Sequence, residues 1–220
     1  MPLLKRNKKS NDLNANRTKT KRAKERGVKS YFKPGKDRDE GTLKHIQLKT
    51  FKINDDQKNI FKKITNITRT LPKKMFITSG EGSVGGQRFA LLQRPRLVNL
   101  CCELLGINLE QLMKTEDEAP YFMKKNGSID VHQDIGFFAN KRINTAIIYI
   151  KTTGLSTLKI YNKGYTDFDN DTDNKVIANI KQTDGLVVIF PAHLFHEVVV
   201  KKKDEKKENR EMIVLSYYVK

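Results

Sequence analysis

The sequence predicts an α+β domain built on an antiparallel sandwich or barrel. Three observations carry that expectation: amphipathic helical segments before about residue 120, short β-branched and aromatic runs after about residue 121, and turn-forming residues between those runs. At 220 residues the chain has length for one sizeable core plus an appendage.

Residues 1–44 come first and differ from the rest. They carry a net charge of +10 out of the chain's +18, with almost no hydrophobic periodicity. Such a segment buries too little apolar surface to offset its ordering entropy, so a basic, disordered arm is expected. Its field attracts phosphate backbones and acidic partners. Lys19-Thr20-Lys21-Arg22-Ala23-Lys24-Glu25-Arg26 has the composition of a nuclear-import or RNA-binding patch, or of a short induced helix. A solvated tail without a specific role fits the same composition.

The domain is expected over residues 45–220, with helical support over 45–120 and the strand-rich core over 121–220. Asn54 or Asp55 can cap a helix whose apolar positions Ile60, Phe61, Ile64 and Ile67 recur at helical spacing, and Pro72 ends that run. Arg96 to Leu105 predicts a second helix, with Leu97, Leu100, Cys101 and Leu104 on one face and Gly106 as its stop. Residues 109–114 are read as a short third helix. Strands are expected over 128–135, 144–150, 157–161, 176–180, 186–190, 196–200 and 211–219. No stretch approaches the roughly 18 apolar residues of a membrane span, so no membrane partner is expected. The start, MPLLKRNKKS, has no apolar secretory core. Cys101 and Cys102 adjoin each other among apolar residues, which suggests buried thiols in a reducing compartment. An intracellular protein, cytoplasmic or nuclear, is expected.

Two stretches carry candidate chemistry. Gly80-Glu81-Gly82-Ser83-Val84-Gly85 fits the dinucleotide-binding glycine pattern, and Met75–Thr78 could supply the strand before it. The context then fails: Pro95 interrupts the place of the long helix, no parallel strand returns, and Glu81 would set a carboxylate beside a phosphate. A glycine loop near an active-site mouth is the better reading. The stronger signal is His132-Gln133-Asp134. On a strand, alternation sends His132 and Asp134 to one face, about 7 Å apart along the chain. A third ligand must come from elsewhere, and two of the remaining histidines, His193 and His196, lie within Phe190–Val198. Two histidines and one carboxylate form the facial set of non-haem Fe(II) oxygenases, which leaves positions open for a 2-oxo acid and O₂. Taken alone, His-x-Asp is a weak pattern. Arg210 adds to it: an arginine heading an apolar strand in a dry barrel is costly unless it meets an anion. Its planar fork suits the far carboxylate of a dicarboxylic acid. The competing reading makes Arg210 the exposed end of the Lys-rich loop 201–209.

Several motifs occur in an order that resembles the 2-oxoglutarate oxygenases, and most closely their prolyl-hydroxylase-like branch, over about residues 120–220. Tyr121 and Gly127 precede His132-x-Asp134 as in the family's tyrosine–glycine lead-in. Arg142-Ile143-Asn144-Thr145-Ala146-Ile147-Ile148-Tyr149-Ile150 looks like its R-x-x-T-x-x-x-Y strand. Gly154–Tyr161 looks like the glycine-led strand that follows. Gly185–Pro191 through His196-Glu197-Val198 is similar to the distal segment, and Arg210 stands where the cosubstrate-binding arginine is expected. This chain departs from the pattern in two places. Fourteen residues separate His196 from Arg210, a few more than usual, with the insertion in Lys201–Asn209. Leu155-Ser156-Thr157 after Gly154 replaces the double-glycine signature.

The resemblance implies a double-stranded β-helix (jelly-roll) core with N-terminal supporting helices. It implies Fe(II) held by His132, Asp134 and His196, the His-Glu-Val context favouring His196 over His193. It implies 2-oxoglutarate as cosubstrate with O₂, and ascorbate as a candidate auxiliary. Arg210 would pair with the far carboxylate of the cosubstrate, Tyr149 would hydrogen-bond that carboxylate, and Tyr121 could reach the cosubstrate from the lead-in. The implied activity is dioxygenase hydroxylation of a C–H bond, with a prolyl or other protein side chain as first-choice substrate. Oxidation or demethylation of nucleic-acid bases, favoured by the basic arm, is the alternative. A catalytically silent jelly-roll binding module, with the arm as its working part, is the reading from another class.

Overall fold

The computed structural model describes residues 48–79, 86–114, 120–134, 143–162 and 175–219. The basic arm, the glycine loop 80–85 and Arg142 lie outside the described residues. Two α-helices form as the apolar spacing requires. In α1 (Asp55–Arg69), Asn54 is the cap: its side chain accepts from the Gln57 backbone at 2.9 Å, while the Gln57 side chain accepts from the Asn54 backbone. Helix α2 (Pro95–Leu105) starts with proline at its first turn and ends at Gly106, whose φ of 65° is the left-handed geometry that glycine adopts without penalty. The expected third helix is a single 3-10 turn, Leu109–Gln111, capped by Asn108. A turn suffices there because Leu112 then bridges to Tyr217 and redirects the chain.

The strands, in chain order, are β1 (Lys49–Lys52), β2 (Ile77–Ser79), β3 (Gly86–Ala90), β4 (Tyr121–Lys125), β5 (Ile129–His132), β6 (Ile143–Thr152), β7 (Ser156–Tyr161), β8 (Val176–Lys181), β9 (Leu186–Pro191), β10 (His196–Val200) and β11 (Arg210–Tyr218). Among the described residues they form one sheet in the order β1-β9-β6-β11-β4-β3-β2 and a second in the order β5-β10-β7-β8. The ladders are antiparallel.

Period-two alternation decides which way each side chain faces. On β6, Ala146, Ile148 and Ile150 join one core with the helical residues Ile64, Leu97, Cys101 and Leu104. The alternate residues Ile147 and Tyr149 join a second core, with Leu158 and Ile160 of β7 and Val198 of β10. β9 and β11 divide the same way: Val187, Ile189, Ile213 and Leu215 face the helices, while Val188, Phe190, Met212 and Val214 face the second sheet. The large sheet is therefore sandwiched, with helices on one face and the smaller sheet on the other. The result is a double-stranded β-helix with supporting helices.

Part of the supporting segment is not helical. Residues 45–120 also supply β1, β2 and β3, which lie at the two ends of the large sheet's strand order. Their sequences, Lys-Thr-Phe-Lys, Ile-Thr-Ser and Gly-Gln-Arg-Phe-Ala, are short and polar because edge positions are half exposed. Both cysteines are buried and free, and burial pushes their thiols up from the usual range. No helix among the described residues is long and apolar enough to cross a membrane.

Candidate active site

The sequence of β5 and β10 brings two histidines side by side. β10 runs antiparallel to β5 with His196 directly opposite His132, and the ladder stops there. The expected strand 128–135 therefore closes at His132, and Asp134 lies in the bend just beyond it. The aspartate is instead fixed by Thr145 of β6, whose Oγ1 donates to Asp134 Oδ2 at 2.8 Å. Gln133, pointing the other way, donates from Nε2 to the carbonyl of His193 at 2.6 Å. That bond ties the bend to the turn between β9 and β10.

The remaining polar atoms converge. His132 Nε2 lies 3.6 Å and His196 Nε2 3.4 Å from Asp134 Oδ1. One ligand atom from each of the three lies within 4.8 Å of the others. His193 is not in this group. Each histidine uses its other nitrogen on the backbone: His132 Nδ1 on the Asp130 carbonyl at 2.8 Å, His196 Nδ1 on the Leu194 carbonyl at 3.1 Å. A carbonyl only accepts, so Nδ1 of each ring carries a proton, and Nε2 is the atom turned to the shared centre, a donor to Asp134 when protonated and a metal ligand when not. Metal bonds of about 2.0–2.2 Å set roughly at right angles would place neighbouring ligand atoms about 3 Å apart. The two histidine–aspartate spacings need about half an ångström of closure, and the group as a whole, spread within 4.8 Å, must draw in further around an ion. This donor set, two neutral imidazoles and one carboxylate on one side of the centre, fits a divalent iron with open positions opposite.

Electrostatics agree with the geometry. Burial alone would raise Asp134, but His196 and both imidazole hydrogen bonds hold its carboxyl well below the usual range. Burial likewise pulls His132 down, and the bond to Asp134 with its charge more than offsets this, so its value is raised. Exposure grades across the group: the side chain of His196 is 4% exposed, that of His132 24%. Phe190 packs edge-on against His196 at 4.8 Å and closes the inner side.

A second polar group lies in the same space between the sheets. Arg210, at the head of β11, is fully buried, which removes the exposed reading of this residue. Its Nη1 donates to Glu208 Oε1 and to the Gly127 carbonyl, both at 2.8 Å. Glu208 is buried too, and its Oε2 accepts from the Gly127 backbone at 2.7 Å. Gly127 turns from β4 to β5 with a φ of 70°, which lets one residue present both its N–H and its carbonyl to this pair. Among the described residues the other edge of the guanidinium, Nε and Nη2, has no partner, and neither does the buried hydroxyl of Tyr149. Tyr149 is shifted upward by burial, with the Arg210 charge acting against the shift, so the two groups feel each other. Three buried donors without acceptors are what an anion's absence would leave.

Tyr121 stands nearer the first group. Burial pushes its hydroxyl up to about 12, with the Asp134 charge adding to the shift and Arg88 opposing it. The Arg88 guanidinium lies 4.6 Å from the centre of the Tyr121 ring, and Arg88 shares the inner face with Met123, Met212 and Tyr149 along one cross-strand row.

Sequence reasoning missed Glu208, Arg88 and the roles of Thr145 and Gln133. Glu208 had a usable signal, since a carboxylate two residues before a strand-leading arginine can share its face. Arg88 had none, being one cation in a short polar run.

No family model matches the sequence, and no curated protein does. Solved structures are similar in fold. A prolyl-4-hydroxylase from Pseudomonas putida aligns over 82% of this chain and 96% of its own, at 13% identity and a TM-score of 0.50. The non-heme alpha-ketoglutarate-dependent epimerase SnoN from nogalamycin biosynthesis aligns over 81% and 80%, at 13% identity and 0.51. EctD from S. alaskensis with bound Fe aligns over 81% and 75%, also at 13% and 0.51. At such identities the likeness is one of fold: the chain shares the double-stranded β-helix of iron- and 2-oxoglutarate-dependent oxygenases.

Proposed function

We propose that the chain is an Fe(II)- and 2-oxoglutarate-dependent dioxygenase that hydroxylates a C–H bond. One observation carries the reading: three convergent ligand atoms from His132, Asp134 and His196 lie between the same sheets as three buried donors on Arg210 and Tyr149 that have no acceptor. The first set suits a metal and the second suits the far carboxylate of a dicarboxylic acid. A generic metal-binding barrel has no use for the second set, and neither does a silent binding module.

In this reading His132, Asp134 and His196 hold the iron, and Thr145 keeps the aspartate turned toward it. The Nε and Nη2 edge of Arg210 pairs with the far carboxylate of 2-oxoglutarate, and the Tyr149 hydroxyl donates to the same group. Tyr121 approaches the cosubstrate from β4. Iron and 2-oxoglutarate together supply the oxidising power: one oxygen of O₂ leaves in succinate, the other enters the substrate as a hydroxyl, and CO₂ is released. Phe190, Leu194 and Met212 keep the inner end of the space dry, which strengthens each charge contact there.

A prolyl or other protein side chain is the substrate class we assign. The motif order over residues 120–220 supports it, as does an alignment that spans 96% of a prolyl-4-hydroxylase. The test is incubation with Fe(II), 2-oxoglutarate and separate peptide and oligonucleotide pools, followed by mass spectrometry. A one-oxygen gain on peptides supports the assignment. A gain on oligonucleotides moves the substrate to nucleic acid, with the +10 arm as its docking element. Absence of succinate under all conditions refutes the enzyme.

A further inference from the structure

We infer that Glu208 is a positioning residue that sets how this site holds its cosubstrate, and with it the length of 2-oxo diacid the site accepts. The inference rests on the cosubstrate reading of Arg210 given above.

A guanidinium has two edges that can pair with a carboxylate side-on. In this chain Nη1 is already committed, to Glu208 Oε1 and to the Gly127 carbonyl. Glu208 is held in turn. Its Oε2 takes the Gly127 N–H at 2.7 Å and its backbone N–H donates to the Asp204 carbonyl at 2.9 Å. The next residue, Asn209, is pinned to Thr153 by two hydrogen bonds, of 3.0 and 3.3 Å. Arg210 is thus clamped through Nη1, and the clamp leaves Nε and Nη2 without a partner among the described residues, as is the Tyr149 hydroxyl that feels the Arg210 charge. A carboxylate at position 208 is the group this clamp needs. It must offer one acceptor to Gly127 and another to Arg210, and an amide at the same place offers only one.

The clamp also limits charge. Glu208 and Arg210 are both fully buried, and Glu208 neutralises the arginine before any ligand arrives. Attraction of a dianion by bulk charge is therefore weak, and recognition falls to the geometry of the free edge. A fixed guanidinium then measures the distance from the metal to the far carboxylate, so chain length is read sharply. Glu208 lies in the inserted segment Lys201–Asn209, which is where this sequence departs from the family pattern.

The experiment compares the parent with Glu208→Gln and Glu208→Ala. Calorimetry under anaerobic Fe(II) conditions gives dissociation constants for 2-oxoglutarate and for its one-carbon-longer homologue, 2-oxoadipate. Steady-state turnover gives KM and kcat for 2-oxoglutarate, and thermal melts report stability. We expect 2-oxoglutarate binding to weaken at least about tenfold in Glu208→Ala and less in Glu208→Gln, the loss of a preorganised edge outweighing the charge unmasked on Arg210. The preference for 2-oxoglutarate over 2-oxoadipate should shrink in the same order, with KM rising more than kcat falls. Variants that melt lower yet bind both diacids like the parent would make Glu208 a structural counter-ion only and overturn the inference. So would failure of both variants to fold. An Arg210→Ala control that still binds 2-oxoglutarate like the parent would instead remove the cosubstrate reading itself.

Discussion

The two polar groups between the sheets handle burial in opposite ways. Around His132, Asp134 and His196 every outward atom has a partner, and the inward atoms face one another across a gap. Around Arg210 the back is satisfied by Glu208 and Gly127, while the front has donors with nothing to meet. The first group can balance itself without a metal, because a proton shared among an aspartate and two imidazoles partly replaces the ion. The second does not, because Nε and Nη2 of Arg210 and the Tyr149 hydroxyl meet no partner among the described residues, and each unmade bond costs about 1–3 kcal/mol. A metal alone would complete the first group and leave that cost standing. On the proposed reading, an anion that reaches from one to the other would complete both.

The largest expected effect breaks the first group. His132→Ala, Asp134→Ala and His196→Ala should each abolish iron-dependent turnover of 2-oxoglutarate, assayed as succinate release. His193→Ala should keep most of it, since His193 lies outside the convergent set. Full loss in His193→Ala with retention in His196→Ala would reverse that assignment.

Breaking the second group comes next. On the proposed reading Arg210→Ala would strand the far carboxylate, and losing one partner of a buried pair costs about 3–5 kcal/mol, or roughly two to three and a half orders of magnitude in affinity. Lysine should rescue in part, keeping the charge without the fork. Iron content should stay unchanged. Because Glu208 also loses its partner, the melting temperature should fall as well, so affinity is to be measured on folded protein.

Smaller changes sharpen the comparison. Thr145→Val removes the bond to Asp134 Oδ2 while keeping the shape of the side chain. Iron affinity should drop about 10–100-fold, as for other supports of a metal ligand, with 2-oxoglutarate contacts at Arg210 untouched. Acid should act on the first group. The His132 value is raised, its bond to Asp134 outweighing burial, and iron must displace that proton. Iron affinity should therefore fall about tenfold per pH unit as pH drops below the raised value, a window opening above the usual histidine value of about 6.5. The same proton contributes stability to the metal-free fold at low pH, and that contribution is lost as pH rises through the raised value.

Much of this was legible in the residues. The helices around Ile64 and Leu100, and the strands from Ile129 onward, follow from apolar spacing because their inward faces are buried against two different cores. The His-x-Asp pair and Arg210 were visible because their chemistry is costly anywhere except at a site. β1, β3 and β4 were not, since short half-polar runs carry little apolar patterning, and β2 showed only as the possible strand Met75–Thr78. Glu208 was obscured by its neighbours: it sits in a run of lysines that reads as solvated, and its place two residues before Arg210 was the one hint that it turns inward. Thr145 stood in a recognised motif, yet its bond to Asp134 depends on a contact between β6 and the bend after β5, which no local pattern encodes.

The claim that one ligand spans both groups is tested most directly by anaerobic calorimetry of 2-oxoglutarate with and without Fe(II), on the parent and on Arg210→Ala. The account predicts tight binding only when the parent carries iron, marked weakening without the metal, and marked weakening in Arg210→Ala even with it. Equal binding by the parent with and without iron, or by Arg210→Ala and the parent, would contradict it.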